Sequence, residues 1–232
     1  GVNIKPILQS WRVNLFERNL ANFSGDDGYI PHEFRPDDGL QYSHLYAPRV
    51  LRESVFANSQ EGNTLYGDKD LRIVNGLEVP SNQHSPILGY AYDGHPIYGP
   101  YGYVKQSGGV ITQMKSGYSL TLAENRPPTL LFPEGFFVED FTHKNVADET
   151  ILDENNGRFC VTPEFPNGTY AYFATVDNSV AASAGPFDGY KEPKFPYLIG
   201  HNYNSIPNDF NSSHLANQDH FNSDGWFRNT QP

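Results

Sequence analysis

Apolar positions along this chain recur with the spacing of strands much more often than with that of helices. Trp11, Val13 and Leu15 alternate with polar residues, the pattern of a half-buried strand. Leu71–Val74 runs into Asn75-Gly76 and then Leu77–Val79, which predicts a hairpin closed by a two-residue turn. Val110–Met114 and Tyr118–Leu122 are short strand candidates around Gly117, and Phe136–Phe141 is a bulky apolar run. Arg158–Thr162 and Thr169–Asp177 flank a turn-rich loop at 163–168, as antiparallel neighbours do. Helical spacing shows over Pro48–Asn58, where Leu51 and Val55 stand four apart behind a proline suited to a first turn. A second short helix is predicted over Ser213–Phe221.

Composition supports the same reading. The 21 Gly and 18 Pro are spread through the whole chain. Long helices are therefore scarce, since each interior proline costs a helix about 3 kcal/mol. Only 38% of residues are hydrophobic, but the chain carries 16 Phe and 15 Tyr. Each buried aromatic removes ~150–250 Å² from water, so a core forms with few aliphatics. The expected fold class is mainly β, an antiparallel sandwich or irregular barrel with long loops and one or two short helices. The chain reads as a single domain over 1–232, with any boundary near Leu77–His84. Residues 201–232 form an extended polar tail, expected to wrap the domain or to meet a partner.

Charge excludes more than it identifies. Sixteen basic residues against 27 acidic give a net charge of −11, which argues against nucleic acid and against an anionic membrane surface. No apolar run reaches the ~18–20 residues of a membrane-spanning helix. Cys160 is the only cysteine, so no intrachain disulfide forms, and its apolar surroundings mark it as a core residue. Gly1–Leu8 has neither an initiating Met nor a basic leader, so the chain reads as a piece of something longer.

Candidate chemistry centres on Asp93-Gly94-His95. The glycine permits a sharp turn that projects carboxylate and imidazole into one volume, and His84 lies nine positions earlier. Two imidazoles and a carboxylate suit zinc or another transition metal. The competing reading is an Asx turn at Asp93 with His95 leading into Pro96. Asp153 and Glu154 are paired acids, suited to calcium or to acid–base work if a loop makes them converge, whereas on a strand they point apart. Ser85 follows His84 without a nucleophile elbow and reads as a turn residue, so no catalytic residue is assigned. Tyr90, Tyr92, Tyr98, Tyr101 and Tyr103 form a dense aromatic group. They either line a surface for a sugar ring or protein loop or build a core layer.

Three stretches then carry a resemblance. They are His84-Ser85-Pro86-Ile87 leading into Asp93–Tyr103 (DGHPIYGPYGY), Leu152–Arg158 with Thr162–Phe173, and Phe195–Gly200. Together they resemble the YHYH domain family, with a family-like core over about 77–200. The family is named for a Tyr-His-Tyr-His motif after an acidic LDE-like segment. The wording, with a tail ending in Trp226-Phe227-Arg228-Asn229-Thr230, is similar to versions in large structural proteins of marine bacteriophages. That resemblance implies a place in a virion tail or baseplate, with other virion chains or further copies of this chain as partners. One departure matters: Tyr170-Ala171-Tyr172-Phe173 stands where Tyr-His-Tyr-His is expected, so both histidines are replaced. The expected function is a non-enzymatic structural or binding module. The alternatives are a metal-binding domain or metal-dependent hydrolase at His84, Asp93 and His95, with zinc or calcium as cofactor, and a carbohydrate-binding module; the alternative to a virion location is an extracellular one.

Overall fold

A computed structural model describes residues 10–14, 16, 29–30, 43–44, 46, 52, 72–178, 181 and 188–207. Among the described residues the fold is mainly β, built of several small sheets that close no barrel, with almost no helix. In chain order the strands are β1 (Tyr29–Ile30), β2 (Ser43–His44), β3 (Arg72–Val74), β4 (Leu77–Val79), β5 (Ile87–Tyr90) and β6 (Pro96–Tyr98). They continue with β7 (Tyr101–Lys105), β8 (Gly108–Gln113), β9 (Tyr118–Leu120), β10 (Phe141–His143), β11 (Gly157–Cys160) and β12 (Thr169–Phe173).

The predicted hairpin forms as β3–β4, with Val74 opposite Leu77 and Asn75 and Gly76 at φ 53° and 78°. Positive φ at both turn residues is what a twist-matched two-residue turn needs, and Asn-Gly supplies it at least cost. The second expected pair also forms: β11 and β12 run antiparallel, Arg158 opposite Ala171. They belong to a four-stranded sheet ordered β11-β12-β6-β5. Within it β12 pairs with β6 in parallel, Tyr172 opposite Ile97, so the sheet is mixed and not purely antiparallel. That pairing joins segments some 75 residues apart in sequence (172 − 97).

Alternation along the sheet sorts its side chains into two cores. Tyr98, Cys160, Ala171 and Phe173 point to one side and pack with Met114 and Leu152. Tyr170 and Tyr172 point to the other, where Ala91, Ile97, Ile199 and Tyr203 meet them. A third cluster of Phe16, Tyr46, Tyr118, Val138, Phe195 and Tyr197 lies against the β9–β10 pair.

Two sequence expectations change. Val13 bridges Phe137, but Asn14, a polar position of the alternating strand, is buried. Its side-chain amide donates to Gly135 O at 3.2 Å and Tyr197 Oη at 2.7 Å, so satisfied hydrogen bonds replace apolarity as the reason for burial. The apolar run at 136–141 contains a 3-10 turn, Val138–Asp140, that leads directly into β10. Of the predicted helix Pro48–Asn58 only Arg52 lies among the described residues; Leu15 and Ser213–Phe221 lie outside them.

Buried ion pairs hold the loops. Arg126 binds Asp140 at 2.5 Å and donates to the carbonyls of Pro127, Phe132 and Pro133, while Asp140 accepts from the amides of Gly135 and Phe137. Arg52 meets Glu78 at 2.8 Å with both side chains fully buried. Glu78 also accepts from Tyr101 Oη and from the Lys191 amide. Lys191 Nζ donates to Gln113 Oε1 at 2.6 Å, which ties β8 to the segment that follows β12. Burial alone raises the Glu78 pKa, but the Arg52 charge and these donors hold it below the usual carboxylate value.

Removing one partner of such a pair strands the other charge in the interior. Glu78→Ala is expected to cost about 3–5 kcal/mol of unfolding free energy in urea titrations, while the exposed pair Lys194–Asp177 at 3.4 Å changes stability by no more than ~1 kcal/mol when Lys194 is truncated.

Candidate functional site

The DGHP segment forms a tight turn between β5 and β6. Ala91 N–H donates to His95 O, Gly94 N–H donates to Ala91 O, and the His95 amide lies 3.4 Å from Asp93 Oδ1. This geometry lifts Asp93 and His95 to the edge of the face that carries Tyr170 and Tyr172. Tyr172 Oη donates to Asp93 Oδ2 at 2.7 Å and accepts from the Asn204 amide at 2.7 Å. Tyr170 Oη lies 3.0 Å from both carboxylate oxygens of Asp153. The His95 ring sits against both tyrosines, at centroid distances of 5.3 and 6.4 Å.

The chain itself closes over this cluster. Gly200 N–H donates to Asn155 O, and Tyr203 meets Tyr92 edge to face. The Ser205 amide donates to Asp93 Oδ2 at 3.2 Å, and its Oγ lies 3.4 Å from His95 Nε2. Burial, reinforced by the neighbouring carboxylates Asp153 and Asp93, pushes the pKa values of Tyr170 and Tyr172 far above the usual phenol value. Both hydroxyls therefore stay protonated, and each serves as a fixed donor to a carboxylate.

His84 lies elsewhere. Its ring packs against Tyr98, Tyr103 and Phe173, on the side of the sheet opposite Tyr170 and Tyr172. Nδ1 is 2.7 Å from Ser85 O, which fixes the proton there, and Nε2 has no hydrogen-bond partner among the described residues. The structure therefore does not bring His84 to Asp93 and His95. Among the described residues no three of His, Cys, Asp and Glu gather closely enough to hold a metal ion. Asp153 and Glu154 also separate. Asp153 turns inward, accepting from the amides of Asn155 and Gly157, while Glu154 is exposed and its carbonyl accepts from Tyr118 Oη at 2.7 Å.

The five tyrosines of the predicted surface divide by burial. Tyr98 and Tyr101 have no exposed area, so neither can stack on a sugar. The Tyr98 hydroxyl reaches Glu164 and Thr162 at 2.8 Å each. Tyr92 and Tyr103 are half-buried, and Tyr90 alone of the five is well exposed, at 63%. Ser85 is buried, with Oγ accepting from the Tyr101 amide, and Cys160 is buried as expected, its thiol pKa raised by burial.

Sequence reasoning missed Tyr170 and Tyr172 as the residues that organise the site. Their period-2 spacing was the available signal, since it places both on one face. It also missed Asn204 and Ser205, whose role depends on a fold-back that no local pattern announces. Among the described residues no helix is long and apolar enough to cross a membrane.

A family model described as "YHYH protein" matches residues 37–184, more than half of the 232-residue chain. No curated protein and no solved structure matches it. Ala171 and Phe173, which stand where the resemblance leads one to expect histidines, both lie on the His84 side of β12.

Burial lowers the His84 pKa from 6.5 to about 4. Between those values the unfolded chain binds the proton and the folded chain does not. The folded state is thus favoured fully above pH 6.5 and loses stability as pH falls towards 4, by up to on the order of 3 kcal/mol. Urea titrations across this window should show the loss in the native chain and a shallower pH dependence in His84→Gln. Equal slopes would contradict a neutral buried imidazole.

Proposed function

The chain belongs to the YHYH protein family, and we propose that within it the domain is a non-enzymatic structural or binding module of a bacteriophage virion protein, in the tail or baseplate. One observation carries the non-enzymatic reading: both faces of β12 are filled by the chain's own side chains. On one face Ala171 and Phe173 pack into an apolar core. On the other, Asp93 and Asp153 each accept a tyrosine hydroxyl, and the segment through Ser205 lies over Asp93 and His95. Acid–base work needs a titratable group within reach of a substrate proton, and here those groups are turned to one another. The virion placement rests on the family resemblance together with the phage-like wording of Asp93–Tyr103 and of the tail. Exposed apolar side chains, among them Tyr90, Val110, Leu130, Phe159 and Ile206, are available for contact with neighbouring chains.

Light scattering of the purified chain is expected to show a stable oligomer whose mass is unchanged by EDTA or by added zinc or calcium. A strict monomer that binds zinc stoichiometrically would instead favour the metal-dependent reading. The virion placement predicts that the chain bands with intact particles of its source phage in a density gradient. Recovery only in the soluble lysate contradicts it.

A further inference from the structure

The chain contains three Asn-Gly pairs, Asn75-Gly76, Asn156-Gly157 and Asn167-Gly168. By sequence alone they are equally prone to deamidation. In that reaction the glycine nitrogen attacks the asparagine Cγ, ammonia leaves with the side-chain nitrogen, and the resulting succinimide takes up water to give aspartate or isoaspartate. The nitrogen must be free to lose its proton, and the ring needs room to close.

The structure separates the three. Gly157 N–H donates to Asp153 Oδ1 at 3.1 Å, Asn156 is fully buried, and a Cβ on Gly157 would lie 2.5 Å from the Tyr170 ring. Gly168 N–H donates to Phe165 O at 2.9 Å, and the Phe159 ring stands 2.6 Å from its Cβ position. At the β3–β4 turn both residues are exposed, nothing lies within 4 Å of the Gly76 Cβ position, and Gly76 N–H has no acceptor among the described residues. We propose that Asn75 is a spontaneous deamidation site of the folded protein and that Asn156 and Asn167 are protected by their surroundings.

The product matters because of what the turn carries. Deamidation adds one negative charge to a chain already at −11. The isoaspartyl form also inserts a methylene into a turn that demands two consecutive positive φ values, three residues before Glu78, the buried partner of Arg52. Modification at Asn75 thus works against the register that holds this ion pair.

The test is a charge-resolved peptide map of the full chain after incubation at mildly alkaline pH, with isoaspartyl methylation to count the rearranged product. The same incubation in urea serves as the unfolded reference. In the folded chain, acid is expected to accumulate at position 75 well ahead of 167, with 156 unchanged, and in urea the three sites should react at similar rates. Equal rates at 75 and 167 in the folded chain would overturn the proposal, as would a rate at 75 that rises on unfolding as much as the rate at 167.

Discussion

The structure depends on β12 being buried on both faces. Four consecutive residues, Tyr170, Ala171, Tyr172 and Phe173, have almost no exposed area. Alternation sends the tyrosines one way and the alanine and phenylalanine the other. A buried phenol needs a hydrogen-bond partner, and the carboxylates of Asp153 and Asp93 provide it. Side chains that look catalytic in the sequence are therefore committed to closing the sheet, and the turn at Asp93-Gly94-His95 is held in place by a residue 79 positions away.

Short strands and abundant glycine and proline leave many backbone groups to be satisfied outside the ladders. Arginine does much of this. Arg126 gathers three carbonyls as well as Asp140, and Arg158 donates to the carbonyls of Tyr103, Val104 and Glu149 while lying over the Phe173 ring. A planar guanidinium with several donors suits irregular loops in a way that lysine does not. The same economy explains how a chain poor in aliphatics is held together: aromatic clusters supply the buried area, and buried charged pairs fix the loops over them.

What could be read from sequence is what local geometry dictates. The Asn75-Gly76 hairpin, the antiparallel β11–β12 pair and the burial of Cys160 all follow from turn chemistry and alternation. The rest required partners distant in the chain. Nothing near Asn14 announces that it meets Tyr197, and nothing near Tyr172 announces Asp93 or Asn204. The grouping of His84 with Asp93 and His95 rested on proximity in sequence, yet between them β5 and the turn carry the chain from one side of the sheet to the other. The tyrosine-rich stretch is likewise split, by burial: Tyr98 and Tyr101 lie in the interior while Tyr90 is exposed.

Because alternation sends Tyr172 to the Asp93 side of β12 and leaves His84 on the other, the two buried faces should contribute to stability independently. A pair of double-mutant cycles in urea unfolding tests it directly. Tyr172→Phe with Asp93→Asn should show a coupling of about 0.5–3 kcal/mol, as groups in direct contact do, whereas Tyr172→Phe with His84→Gln should be additive within ~0.5 kcal/mol. Strong coupling between Tyr172 and His84, or none between Tyr172 and Asp93, would contradict the account.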